Sequence, residues 1–483
     1  MLQAPQRYLN FIGNELKPAD SGETIPVVDP SNGETFASIP RSRAGDVARA
    51  VHAARGAFEG AWGRFSAMER SRLLMRLAGL VDAHREELAR LESRDTGKPL
   101  KQGRADAQAL SRYFEYYAGA ADKLHGQTIP YQTGYTVFTL REPHGVTGHI
   151  IPWNYPMQIF GRSVAASLAV GNACVVKPAE DACLTLIRVA ELAAQAGLPA
   201  GALNVVTGLG AEAGQALAEH PDVDHLSFTG SPETGRRVAQ AGAQHHCPVT
   251  LELGGKSPQI VFDDADLQAA LPVLVNAIIQ NGGQTCSAGS RVLIQQGIHD
   301  ALVEQLIERF SALRAGPAMA DLDLGPLVSR RQLQRVWDYL SDAQASGLGF
   351  AAQGTVQDNA PSAGFYQAPV LLTRVPRDDR LFQEEIFGPV LVTTPFQDEH
   401  EALALANGTR YGLVAGVWTR DGARQMRMAR AIRGGQVFIN NYGAGGGVEL
   451  PFGGVRASGH GREKGFEALY AFTNLKTIAI RHD

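Results

Sequence analysis

The sequence predicts an α/β protein of two domains, each a parallel sheet wrapped by helices. Three observations carry this expectation. From 150 to 264, short apolar runs alternate with helical ones: ACVVKP then LTLIRVAELAAQAG, LNVVTG then GAEAGQALAEH, HLSFTG then SPETGRRVAQAG. Buried strands alternating with helices imply a parallel sheet covered on both faces. A second alternation, with QIVFDD, RVLIQ and GLVAGVWT followed by RDGARQMRMARAI, runs from 258 to about 435. The chain also has 483 residues, more than a single hydrophobic core serves.

The remaining elements follow in chain order. Residues 44–94 read as amphipathic helices, rich in alanine, leucine, arginine and glutamate. Between 136 and 151, TVFTL and GVTGHII alternate and are rich in β-branched residues, which predicts hairpin-like strands bounded by REPHG, a ribbon that leaves the main body. The two alternating regions join at LELGGKSP, 251–258, where the glycines are expected to let the backbone bend between domains.

Apolar residues at 44% and charged residues at 19% exclude a disordered chain. The net charge of -4, with no block of lysine and arginine, points away from nucleic acid and anionic membrane and toward a small-molecule partner. Cys174, Cys183, Cys247 and Cys286 lie far apart without metal-ligand spacing, so neither disulfides nor a metal site is expected and a reducing compartment is. The start lacks a basic segment followed by an apolar one, and no apolar run reaches 18 residues, which predicts a cytoplasmic protein without a membrane span. No internal repeat is visible.

Four segments carry chemistry. In QNGGQTCSAGSR, 280–291, Cys286 stands among small and polar residues. A thiolate nucleophile needs that access, together with N–H groups to stabilise its charge, whereas an inert loop thiol needs neither; the segment alone does not choose. In VTLELGGKSP, Val249, Leu251 and Leu253 alternate with Thr250 and Glu252, so Glu252 ends a strand on the opposite side from its apolar set. It is either a general base for water or a solvated strand end. Asn154, between the prolines of IIPWNYP, offers a rigid amide donor to an oxyanion before a helix start; asparagine is equally a turn residue. GLGAEAG and FTGSPETG depart from GxGxxG, yet Ser231 and Pro232 suit the cap and first turn of a helix, where a phosphate can sit. Near them, Lys177 and Glu180 in ACVVKPAED can both bond ribose hydroxyls, and an acid there repels a 2′-phosphate, favouring NAD over NADP. A surface ion pair is the alternative.

Taken in order, PWNYP, KPAE, FTGSPETG, LELGGKSP, GGQTCSAGSR, EEIFGPV and PFGGVRASGHGREKG resemble the aldehyde dehydrogenase superfamily over almost the whole chain. The resemblance is to its non-acylating, NAD(P)-dependent branch, because the branch that transfers acyl groups to coenzyme A typically lacks the glutamate that Glu252 matches. It implies a Rossmann-like nucleotide-binding domain (1–120 and 144–252), a catalytic α/β domain (253–456) and a small β oligomerisation element (121–143 and 457–483) of a homodimer or homotetramer. It implies Cys286 as nucleophile, Glu252 as base for the deacylating water, and Asn154 with the Cys286 N–H as oxyanion donors. Lys177 and Glu463 complete the catalytic set, Glu463 on a proton path to the base. Implied cofactor contacts are Ile151, Trp153, Lys177, Glu180, Gly210, Phe228, Gly230, Ser231, Leu253, Glu385 and Phe387, with Glu385 on the nicotinamide ribose. The implied chemistry is oxidation of an aldehyde through a cysteine thiohemiacetal and a thioester that water hydrolyses, with NAD preferred and NADP an alternative.

The substrate is less legible. Tyr155, Ile159 and Phe452 are expected to give the tunnel apolar walls fit for an alkyl or aryl aldehyde. Arg162, in the apolar stretch MQIFGRSVAASLAVG, matches an arginine of family members acting on succinic semialdehyde. A guanidinium there either awaits a substrate carboxylate, making a dedicated semialdehyde enzyme the alternative function, or pairs with an acid such as Glu449. A second arginine of those enzymes, six residues before the nucleophile, is Gln280 here. The glycine-rich stretch 440–454 predicts a wide or mobile tunnel mouth. A catalytically silent relative is the contrasting class, and intact Cys286, Glu252 and Asn154 argue against it.

Overall fold

The computed structural model describes residues 5–443 and 447–482. Two large sheets organise it. The first runs in the order Gly459–His460, Val249–Glu252, His225–Thr229, Val146–Ile151, Ala173–Pro178, Leu203–Val205, Asn10–Ile12, Glu15–Lys17. Its five central strands are parallel, and antiparallel strands close both edges. Ala173–Pro178 and His225–Thr229 are buried at every residue, as strands covered on both faces must be.

The second sheet runs Phe350–Gln353, Val370–Leu372, Val390–Phe396, Arg291–Gln295, Pro258–Val261, Val414–Trp418, Gln436–Ile439, parallel except at its first strand. Successive residues face opposite helical layers. Ile260, Leu293, Val390 and Val392 pack on one side, while Val261, Val292, Ile294 and Leu391 pack on the other. Each such side chain contributes about 1.5–3 kcal/mol by leaving water. The α/β architecture expected from the alternating runs is present. The first sheet turns its strand carboxyl ends, at Ile151, Lys177, Thr229 and Glu252, toward the junction, where ligands of such folds bind, and the second sheet meets them with the segments that lead into its strands' amino ends.

Helices Ala44–Glu59, Ala67–Ala83, Arg85–Thr96 and Leu100–Ala120 cover residues 44–120. Ala67–Ala83 starts from a capping box, in which Ser66 accepts from the Glu69 N–H and Glu69 accepts from the Ser66 N–H.

One sequence expectation is corrected. Tyr135–Pro143 and Val146–Ile151 are consecutive strands but not a hairpin: the first pairs with Thr473–Arg481 and Thr128–Ile129 in a separate ribbon, the second lies inside the first sheet. Gly145, at φ +131°, redirects the chain between them, and the nearly complete burial of Val146–Ile151 demands sheet on both sides. Within 457–483, Gly459–His460 pair with Val249–Glu252, and the ribbon's C-terminal strand is Thr473–Arg481.

Candidate active site

The junction LELGG brings the two sheets together through close backbone approach. A Cβ on Gly254 would lie 2.2 Å from Glu385 Oε2, and one on Gly255 would lie 2.5 Å from the Cys286 carbonyl oxygen. The glycines are therefore required by contact, not by a bend; neither has a positive φ. The Gly255 N–H donates to Glu385 Oε1 at 3.0 Å, tying the strand end to the EEIFGP segment.

Cys286 sits beyond the helix Leu267–Ile279 on a loop made by three successive left-handed residues, Asn281, Gly282 and Gly283. A Cβ on Gly283 would meet the Gly388 carbonyl oxygen at 2.1 Å, so only glycine fits. Side chains hold the loop where no regular ladder does. Asn281 Nδ2 donates to the Asn154 carbonyl at 2.8 Å, Asn154 Nδ2 donates to the Gln284 carbonyl at 3.0 Å, and the Tyr442 hydroxyl donates to the Ser287 carbonyl at 2.5 Å. Asn154 thus spends one amide N–H on the loop and keeps the other.

Two cavities meet at this loop. A cleft of about 790 Å³ is lined by Ile151, Trp153, Lys177, Glu180, Gly210, Phe228, Gly230, Ser231, Glu252, Glu385 and Phe387, with Asn154 and Cys286 at one end. A second cavity, of about 410 Å³, is lined by Tyr155, Ile159, Arg162 and Phe452, again with Asn154 and Cys286. The sulfur is half-buried between them. Leu253 is the one expected cofactor contact whose side chain is absent from the cleft; it lies where a Cβ on Gly235 would touch it, beneath the helix Pro232–Ala243. Glu463 lines neither cavity and is completely buried behind the site.

Glu252 is buried, and neither of its carboxyl oxygens has a hydrogen-bond partner among the described residues. Burial, reinforced by Glu463, holds its pKa well above the ordinary carboxylate value, against the lowering effect of Arg162 and Arg462. Burial likewise pushes the Cys286 thiol up to about 11, with Arg162 opposing and Glu385 and Glu252 adding to the rise. Burial raises Glu385 to about 7 despite the Gly255 N–H. Phe387 beside it has φ +64°. Two residues that no sequence pattern singles out clamp this segment: Gln332 Nε2 donates to the Phe387 carbonyl at 2.7 Å, and Arg335 donates to the Glu385 carbonyl at 2.7 Å. They share the first two turns of an amphipathic helix, Arg330–Ala345, where nothing in the pattern marks them.

At the far end of the cleft, Lys177 Nζ lies 2.9 Å from Glu180 Oε2. Burial tends to raise the Glu180 pKa, but the Lys177 charge outweighs it and keeps the carboxylate ionised. Ser231 caps the helix Pro232–Ala243 by accepting from the Thr234 N–H at 3.2 Å, with proline in the first turn. Gly230 admits no side chain, since a Cβ would meet the Phe228 ring at 2.5 Å.

Arg162 is not an open receptor for a substrate carboxylate. Its guanidinium is ion-paired with Glu463, donates to Thr229 Oγ1 at 3.1 Å and lies 5.0 Å from the Phe452 ring centre. Burial opposes its charge, and Glu463 followed by Glu252 more than offset that, raising its pKa. Glu449, the partner considered from sequence, pairs instead with Arg112 at 2.7 Å. The dedicated semialdehyde reading is therefore not favoured. Arg162→Met should leave Glu463 buried without its counter-charge and cost about 3–5 kcal/mol in denaturant unfolding. Turnover of succinic semialdehyde and of an uncharged aldehyde should fall together; loss of the charged substrate alone would contradict this. Of the glycine-rich stretch 440–454, residues 444–446 lie outside the described residues.

No helix among the described residues is long and apolar enough to cross a membrane. The model of the aldehyde dehydrogenase family matches residues 17–478. The hydroxyisobutyraldehyde dehydrogenase of Mycolicibacterium austroafricanum is 44% identical over 477 residues, covering 98% of this chain and 93% of that protein. A crystal structure from Burkholderia cenocepacia is 71% identical with a TM-score of 0.98, covering 98% of this chain and all of that one. The NAD+ complex of aldehyde dehydrogenase from Bacillus cereus is 39% identical with a TM-score of 0.96, covering 99% and 97%. With the family's sequence and fold matched over nearly its whole length, this chain is an oxidoreductase that belongs to the aldehyde dehydrogenase family.

Proposed function

We propose that this chain oxidises an aldehyde to its carboxylic acid with NAD, using Cys286 as nucleophile, Asn154 and the Cys286 N–H as oxyanion donors, and Glu252 as base. The observation that carries this is the placement of Cys286 and Asn154 on both cavities at once, with the unpartnered Glu252 carboxyl on the cleft side. One cavity serves the aldehyde and the other the dinucleotide.

The cleft fits NAD on its own features. Gly210 leaves open space where a side chain would stand, and the N-terminus of Pro232–Ala243 opens on the cleft as an anion seat. Lys177 and Glu180 would hold the adenine-side ribose, and Glu385, clamped by Arg335 and the Gly255 N–H, the nicotinamide ribose. Bound NAD supplies the hydride acceptor beside Cys286.

The protein's part is then as follows. The Cys286 thiolate adds to the carbonyl carbon, and the resulting oxyanion accepts from the remaining Asn154 N–H and the Cys286 N–H. Loss of hydride from that carbon leaves a thioester on Cys286. Glu252, whose raised proton affinity suits a base near neutrality, takes a proton from the water that attacks the thioester. The carboxylate departs and the thiolate is restored. The Arg162 guanidinium favours the anionic forms of Cys286 and Glu252 from a fixed position.

Glu180 is the group that disfavours a 2′-phosphate. Glu180→Ser should raise kcat/KM for NADP relative to NAD by about tenfold, equivalent to about 1.4 kcal/mol of repulsion removed. An unchanged ratio would remove Glu180 from this role. The ribbon of Tyr135–Pro143 and Thr473–Arg481, with Leu140, Leu475 and Ile480 exposed on it, is the oligomerisation element of a cytoplasmic homodimer or homotetramer.

A further inference from the structure

The cavity beyond Cys286 is not the apolar tube that Tyr155, Ile159 and Phe452 suggest. Two glutamine side chains, Gln102 and Gln158, line it from different helices, Leu100–Ala120 and Pro156–Phe160. Both amides converge on one carboxylate oxygen: Gln102 Nε2 donates to Asp106 Oδ1 at 2.8 Å, and Gln158 Nε2 donates to the same atom at 2.6 Å. The other Asp106 oxygen accepts from Lys98 Nζ at 2.5 Å, and Lys98 also donates to Glu92 Oε1 at 2.8 Å. Lys98, Glu92 and Asp106 are sealed from solvent.

This buried cluster fixes which way the amides face. A carboxylate paired with an ammonium only accepts, so both glutamines must turn nitrogen toward Asp106. Each amide keeps its carbonyl oxygen and one N–H without a further hydrogen bond among the described residues, on side chains that line the cavity. Glu92 fixes the second helix as well, accepting from the Met157 N–H at 3.3 Å. Lys98 stands 4.6 Å from the Tyr155 ring centre, and the Tyr155 hydroxyl shares a 3.0 Å hydrogen bond with Thr285, the residue before Cys286. The orientation of the wall therefore rests on one ionic cluster, which also packs against Tyr155, a residue bonded to the loop of the nucleophile.

An alkyl or aryl chain pressed against these amides would strip their water and return nothing. A hydroxyl both donates to an amide oxygen and accepts from an amide N–H, and so satisfies both unspent groups. We propose that the cavity selects aldehydes bearing a hydroxyl group on the chain beyond the carbonyl, with Gln102 and Gln158 as the specificity-determining residues. This rests on the assignment of Cys286 as nucleophile.

The test compares kcat/KM for 3-hydroxypropanal and propanal as a ratio within each protein, so that losses common to both cancel. The wild type should favour the hydroxyaldehyde by about tenfold or more, and Gln158→Leu and Gln102→Leu should each reduce that ratio at least about threefold. Gln102→Leu keeps the Gln158 bond to Asp106 and serves if the other variant fails to fold. A wild-type ratio near unity, or a ratio that both variants leave unchanged, overturns the proposal. Cys286→Ser assayed in parallel separates the two levels: continued oxidation of both aldehydes would strike the nucleophile assignment, whatever the ratio shows.

Discussion

Cys286→Ser is expected to lower aldehyde oxidation by at least about three orders of magnitude while leaving NAD binding intact. A hydroxyl in that loop keeps the shape of the thiol but not its acidity, and Arg162 is too well matched by Glu463 to ionise it. Steady-state NADH production checks the first statement, and fluorescence titration with NAD the second. Retained turnover would remove the covalent route; lost NAD binding would mean that the loop, not the nucleophile, had failed. A related expectation concerns Arg162, whose charge opposes the rise of the Cys286 pKa. In the Arg162→Met protein, alkylation of Cys286 by iodoacetamide should need higher pH than in the wild type.

Glu252→Gln is expected to separate the two halves of the reaction. The amide cannot take a proton from water, so the first turnover should proceed and the second should stall, giving a burst of about one NADH per site followed by a rate lowered about 10²–10⁴-fold. In the wild type the sign of the pH dependence follows from the raised Glu252 pKa. Deacylation requires the ionised form, so its rate should fall as pH drops through a value above the ordinary carboxylate range of about 4 to 5. Glu252→Gln should flatten that limb, and a full steady-state rate in the variant would exclude Glu252 as the base.

The positions of these residues were legible because each breaks a local pattern: a carboxylate on an apolar strand, a thiol among glycines and hydroxyls, an amide between prolines. The alternating βα runs exposed both sheets for the same reason, since a strand buried on both faces leaves an unbroken apolar run. What the sequence hid depends on contacts between segments distant in the chain. Tyr135–Pro143 and Val146–Ile151 look alike locally, and only their partners separate ribbon from sheet. Gly254 and Gly255 read as a hinge because the crowding that requires them comes from Glu385 and Cys286. Arg162 left its partner open between a substrate carboxylate and an acid such as Glu449 because Glu463, which it pairs with, lies far away in the chain. Gln102 and Gln158 are unremarkable helix residues until Asp106 draws them to one point.

The convergence of thiol, carboxyl and amide at one carbonyl is tested most directly by trapping the intermediate. Glu252→Gln, mixed with aldehyde and NAD, quenched in acid and digested, should carry the acyl group as a thioester on the peptide containing Cys286. A peptide that stays unmodified after a full equivalent of NADH has formed, or an acyl group found on another residue, would contradict this account.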